Sequence, residues 1–146
     1  MDPTAFYHLG LSIMASTPIP DPASCRTVIG RAYYAARNRA DEALDRWCAS
    51  CCRGPQKHGL AVRFLHATSD SDLISASADL NDLKTLRNMA DYDMNAMSVE
   101  KPSQARRALD LAKGILEGIA AVENDVARTR AAEANVRAYR RRTNTP

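Results

Sequence analysis

Apolar residues in this chain recur every three or four positions and almost nowhere every two. Ile29, Tyr33, Ala36, Ala40, Leu44 and Trp47 trace one stripe. Leu73, Ala76, Leu80, Leu83 and Ala90 trace a second. Ala105, Ala108, Ala112, Ile115, Ile119, Val122 and Val126 trace a third, in which small residues permit close helix packing. This spacing marks one face of an α-helix. No run of alternating β-branched residues occurs, and neither Asn-Gly nor Asp-Gly offers a hairpin turn. The pattern predicts an all-α fold.

The punctuation divides the chain into helices. A first helix over Thr4 to about Ala15 would turn Phe6, Leu9 and Ile13 to one side. Pro18, Pro20 and Pro22 stop it, because proline lacks the amide donor and restricts its predecessor. A long second helix runs from about Ala23 to Cys48, with Gly54-Pro55 as the following loop. A short third helix spans His58 to about Ala67. Ser69-Asp70-Ser71-Asp72 supplies N-cap candidates for a fourth, ending near Tyr92. Pro102 suits the first turn of a fifth. The stripe fades after Val126, so residues 123–146 read as a basic helical extension or flexible tail projecting into solvent, and 1–122 as the folded unit. No internal repeat is visible.

A length of 146 residues suits one domain. No apolar stretch approaches the roughly 18 residues of a membrane span. Met1-Asp2-Pro3-Thr4 carries no basic region of a secretory signal, so the expected compartment is the cytoplasm. The net charge of +3 is unevenly placed. From Glu123 onward there are six basic residues (Arg128, Arg130, Arg137, Arg140, Arg141, Arg142) and three acidic ones (Glu123, Asp125, Glu133), so the remaining 14 of each sign cancel. The tail could touch phosphates or simply be a solvated helix end.

Four cysteines are present, at 25, 48, 51 and 52. Cys48 and Cys51 have metal-ligand spacing and His58 follows, but zinc needs about four ligands and there is no second cysteine pair. The expectation is reduced thiols near a helix end, with no metal and no cofactor.

Two polar segments stand out among the apolar stripes: Arg31-Ala32-Tyr33-Tyr34-Ala35-Ala36 and Arg87-Asn88-Met89-Ala90-Asp91-Tyr92. Arg87 and Asp91 lie one turn apart and can pair, as can Asn88 and Tyr92 on the adjacent face. The Arg87 guanidinium suits a phosphate or carboxylate, to which it can donate two parallel hydrogen bonds. Arg31, Tyr34 and Asn38 share another face of the second helix. They could serve a two-fold interface, or meet Arg87 and Asp91 within one subunit and tie two helices together.

Together the segments resemble the HEPN superfamily (higher eukaryotes and prokaryotes nucleotide-binding domains), specifically its short stand-alone bacterial members. Those carry Arg-Ala-Tyr-Tyr-Ala in a long helix, a Lys-x-His or Lys-His after the next loop, and Arg-x-x-Ala-Asp-Tyr two helices later. Here these are Arg31 to Ala35, Lys57-His58, and Arg87 to Tyr92. The resemblance covers about residues 4 to 122. It implies a four- to five-helix up-down bundle that dimerises. It further implies action on RNA, as a metal-independent endoribonuclease of toxin–antitoxin or phage-defence type. The alternative it leaves is a non-catalytic module binding RNA, a nucleotide, or a protein partner such as a minimal nucleotidyltransferase.

The family's nuclease signature is Arg-x4-6-His, often with Asn directly after the Arg. Arg87-Asn88 begins it, but positions 92, 93 and 94 hold Tyr, Asp and Met. Cleavage through a 2′,3′-cyclic phosphate needs a base, an acid and a cation for the developing charge. Arg87 fits the last role. His58 fits the proton transfers, since a neutral-range imidazole suits them, and Asp91 is the other base candidate. Asn88, Tyr92, Arg31, Tyr34 and Lys57 are the supporting or substrate-binding candidates. His8 and His66 read as ordinary helix residues.

Overall fold

The computed structural model describes residues 2–48 and 57–143, the side chains of Lys57 and His58 excepted. Among the described residues there are six α-helices and no strand: α1 Thr4–Ser16, α2 Pro22–Cys48, α3 Lys57–Ala67, α4 Ser71–Tyr92, α5 Pro102–Glu123 and α6 Val126–Thr143. A short 3-10 helix, Met97–Glu100, joins α4 to α5. None of the helices is long and apolar enough to cross a membrane.

Aspartates set several helix starts. Asp2 accepts from the Thr4 amide at 2.9 Å, and Asp21 from the Ser24 amide at 2.8 Å, with Pro22 in the first turn between them. Asp70 caps α4 through the Asp72 and Leu73 amides, and Asp125 caps α6 through the Arg128 amide. Each carboxylate satisfies amides that a helix cannot satisfy itself and sits at the positive end of the dipole.

α2 is the central element and packs against all five other α-helices. Its alanines at 32, 35, 36, 40 and 43 are fully buried, which lets several helices approach one axis. Trp47, Phe64, Ile29, Leu44, Leu65 and Leu80 fill the space between them. The three sequence stripes are the buried faces of α2, α4 and α5, except that Val126 is 67% exposed.

α1 is turned slightly from the expected orientation. Leu9 is exposed, whereas Tyr7, Ile13 and Met14 pack against the core and Gly10 is buried. Gly10 is where α1 comes closest: a methyl there would stand 3.0 Å from Leu109 Cδ2. A seam centred on glycine carries no hydrophobic signal, so periodicity selected its neighbours.

Residues 126–143 do not project into solvent as expected. α6 folds back over α2, α3 and α5. Ala132 and Val136 are buried, and Tyr139 packs edge-on to Phe64 at 5.5 Å between ring centroids. Its arginines hold it: Arg137 Nε donates to Trp47 O at 3.2 Å and Arg140 Nη1 to Cys48 O at 2.9 Å, capping the end of α2. Arg128 pairs with Asp70 and Asp72. Cationic groups at a helix C-terminus satisfy orphan carbonyls and complement the dipole.

Cys25 is a buried free thiol. Cys48 is half of a disulfide, which corrects the expectation of a reduced thiol at that position. Cys51 and Cys52, the other members of the sequence cluster, lie outside the described residues, as does the expected zinc spacing that involves them. No group of three or more metal-ligating side chains gathers among the described residues.

Candidate functional site

The two polar segments meet where α2 crosses the end of α4. Arg87 sits at the junction. Its Nη2 donates to the Tyr34 hydroxyl at 3.1 Å, and its Nη1 to Asn88 Oδ1 at 3.3 Å. Its Nε lies 2.6 Å from Asp91 Oδ2, but that N–H is not aligned with the oxygen, so the contact is an ion pair and not a directed hydrogen bond.

Three tyrosine rings surround the guanidinium, with centroids 4.9 Å away at Tyr92, 5.7 Å at Tyr34 and 5.9 Å at Tyr33. Burial works against the Arg87 charge, but the Tyr92 and Tyr34 hydroxyls and the Asp91 carboxylate more than offset it and hold the group protonated. Asn88, Tyr34 and Tyr92 do not exhaust the four donors on the two Nη atoms. Tyr92 is 72% exposed, with its ring face open beside the cation.

Arg26 fixes the end of α4 and hence the site. Its Nη1 donates to the carbonyls of Met89, Ala90 and Asp93 at 3.3, 2.9 and 3.0 Å. Its Nε and Nη2 pair with Glu100 Oε1 at 3.1 and 2.9 Å. It is therefore a C-cap supplied by another helix, a role the sequence reading missed.

Beside this junction opens a shallow pocket of ≈ 250 Å³, lined by Arg26, Thr27, Gly30, Arg31, Tyr34 and Asp91. Gly30 keeps its floor low, and a methyl there would stand 3.9 Å from Asp91 Oδ1. Arg31 stacks over the Phe6 ring at 5.7 Å and forms no ion pair among the described residues, so its charge is available to the pocket. Arg87 lies behind Tyr34 and Asp91 and does not line the pocket itself.

Of the sequence-stated candidates, the structure thus brings together Arg87, Asn88, Asp91, Tyr92 and Tyr34, with Arg31 on the adjoining wall. Tyr34 is committed within one chain, which is the tying of two helices that the sequence left open. Lys57 and His58 begin α3, but their side chains lie outside the described residues. His66 lies on α3 in a different pocket, and the His8 ring lies against Tyr7, so neither contributes to this site.

Arg37, also overlooked in the sequence, is 2% exposed on α2. Its Nε donates to Asp41 Oδ1 at 2.8 Å, while Nη1 and Nη2 are buried without a hydrogen-bond partner. It lies one turn beyond Tyr33, whose hydroxyl burial pushes up against the opposing charge and hydrogen-bond contact of Arg37 and the field of Arg87. Only its place between Tyr33 and Asp41 could have hinted at burial.

No protein-family model, curated protein or solved structure matches this chain.

Proposed function

We propose that the chain is a HEPN-type RNA-acting protein, a helical bundle that binds a backbone phosphate at the Arg87 junction, with Arg31 in the adjoining pocket, and stacks a base on Tyr92. The observation that carries this reading is the hydrogen bond from Arg87 to Tyr34, because it joins the two segments on which the family resemblance rests. A protonated guanidinium with a spare donor suits a phosphate, and an exposed aromatic ring beside it suits a single-stranded base. The balanced charge of residues 1–122 fits a short single-stranded contact better than a duplex, which demands many phosphate contacts. Homodimerisation would place a second Arg87 on the same strand.

Cleavage is the second reading, and Asp91 is the observation that favours it. Its Oδ2 faces Arg87 while its Oδ1 faces the pocket. In that arrangement Asp91 would take the 2′-OH proton as the 2′-oxygen attacks phosphorus, Arg87 would stabilise the phosphorane, and the P–O5′ bond would break with the 5′-oxygen protonated by a general acid, the role for which His58 is the sequence candidate.

The test is incubation of purified protein with bacterial RNA in excess chelator, beside Arg87→Ala, Tyr34→Phe, Asp91→Asn and His58→Ala, with bound and cut RNA scored separately. Binding that weakens in Arg87→Ala and Tyr34→Phe supports the RNA-acting reading. Chelator-resistant cutting lost in Asp91→Asn supports the nuclease and names its base, and loss in His58→Ala names its acid. Equal binding by folded Arg87→Ala and the parent protein would overturn both.

A further inference from the structure

The largest pocket described in the molecule lies away from Arg87, over α3. It measures ≈ 520 Å³, within the range of small-molecule sites. The fold creates it in a definite way. α4 and α6 both pack against α3, and among the described residues their backbones do not pack against each other. Among the described residues α6 is tied to the start of α4 where Arg128 pairs with Asp70 and Asp72, and to the α3–α4 turn where Asn135 Nδ2 donates to Thr68 O at 2.7 Å. Between them Val62, Arg63, His66 and Ala67 of α3 line the hollow.

The lining divides by chemistry. Val62 of α3, Ile74 of α4 and Tyr139 of α6 give it an apolar interior. Ile74 is one of the few large aliphatic side chains on the surface. Arg63 on α3 and Arg142 on α6 give it a cationic edge, with the His66 imidazole one turn from Arg63. No acidic side chain lines it. Seven arginines elsewhere have carboxylate partners, namely Arg26, Arg37, Arg39, Arg46, Arg87, Arg107 and Arg128, whereas Arg63 and Arg142 have none among the described residues. Two unmatched guanidiniums converging on an apolar hollow from different helices are complementary to an anion attached to an apolar body.

We propose that this groove binds a small amphipathic anion, an alkyl or aryl chain ending in a carboxylate or phosphate monoester. The apolar body lies along Val62, Ile74 and Tyr139, and the head is held between Arg63 and Arg142, with His66 as a further donor. The site shares no residue with the Arg87 cluster and stands or falls independently of the RNA reading.

The experiment is calorimetric titration of the full chain with octanoate, octyl phosphate, octanol and inorganic phosphate at fixed ionic strength. The expected result is saturable binding of octanoate or octyl phosphate and none of comparable strength by octanol or inorganic phosphate. The tighter of the two amphiphiles identifies the head group. Affinity should fall about tenfold when a charge-assisted pair is removed in Arg63→Gln/Arg142→Gln. It should also fall in Ile74→Asn, and stay unchanged in Arg87→Gln. Arg63, Arg142 and Ile74 are exposed, so these variants should retain the parent circular dichroism and melting temperature. The proposal is overturned if neither amphiphile saturates, if octanol binds as well as octanoate, or if the double variant binds like the parent.

Discussion

At Arg37 a guanidinium is almost fully buried, its Nε paired with Asp41 and its contact with the Tyr33 hydroxyl too poorly aligned to satisfy the Nη atoms. Unsatisfied buried donors are costly, and replacing a buried ion pair with an apolar side chain of similar volume is often neutral or stabilising. Asp41, 27% exposed in its side chain, can be hydrated once its partner is gone. We therefore expect Arg37→Met to leave thermal stability unchanged or raise it by about 1 kcal/mol. Thermal unfolding checks this, and a loss beyond about 2 kcal/mol would show that the Nη atoms find partners in solution. Arg87 differs in kind. Its charge is sustained by two tyrosine hydroxyls and a carboxylate, and it stays near enough to the surface to meet a ligand. The Arg87–Asp91 pair was legible from its one-turn spacing. Its contact with Tyr34 was only one of two alternatives left open, because residues 53 positions apart share no local pattern.

At the scale of elements, two polar devices hold helix ends. Arg26 gathers the carbonyls at the end of α4, so Arg26→Met should cost about 2–4 kcal/mol. It should also speed amide exchange in the last turn of α4 selectively, and protection equal to the parent's there would refute the capping role. The second device is Arg128 with Asp70 and Asp72. The Arg128 guanidinium, with the Leu73 and Asp72 amides, holds the Asp70 carboxyl below its usual range. A carboxyl depressed in the folded state contributes stability above its unfolded pKa, near 3.9, and loses it as pH falls through the folded value. Melting temperature should therefore fall more steeply between about pH 5 and pH 2 in the parent than in Arg128→Ala. Parallel curves would exclude the pair as a contributor. These devices also explain what the sequence concealed. α2, α4 and α5 announced themselves because their buried faces are apolar at helical spacing. α6 buries only Ala132 and Val136 and docks by arginine-to-carbonyl and arginine-to-carboxylate contacts, which in sequence look like a solvated basic tail.

At the scale of the molecule, charge and shape separate into two ends of α4. Its C-terminal end carries the Arg87–Tyr34–Asp91 junction, and its N-terminal half borders the apolar groove over α3. The surplus of positive charge lies on α6, where Arg128, Arg137 and Arg140 serve packing while Arg130, Arg141 and Arg142 remain at the surface. All-helical architecture was readable from periodicity alone; action on RNA is a reading of the cluster and of the resemblance, and it can be tested directly. The decisive measurement is fluorescence anisotropy of a labelled single-stranded RNA against the parent protein and Arg87→Gln, in chelator, across a salt series. The account expects a dissociation constant at least about tenfold higher in the variant, with a salt dependence shallower by about one phosphate contact. Equal affinity and equal salt slope, in a variant with the parent's fold, would contradict it.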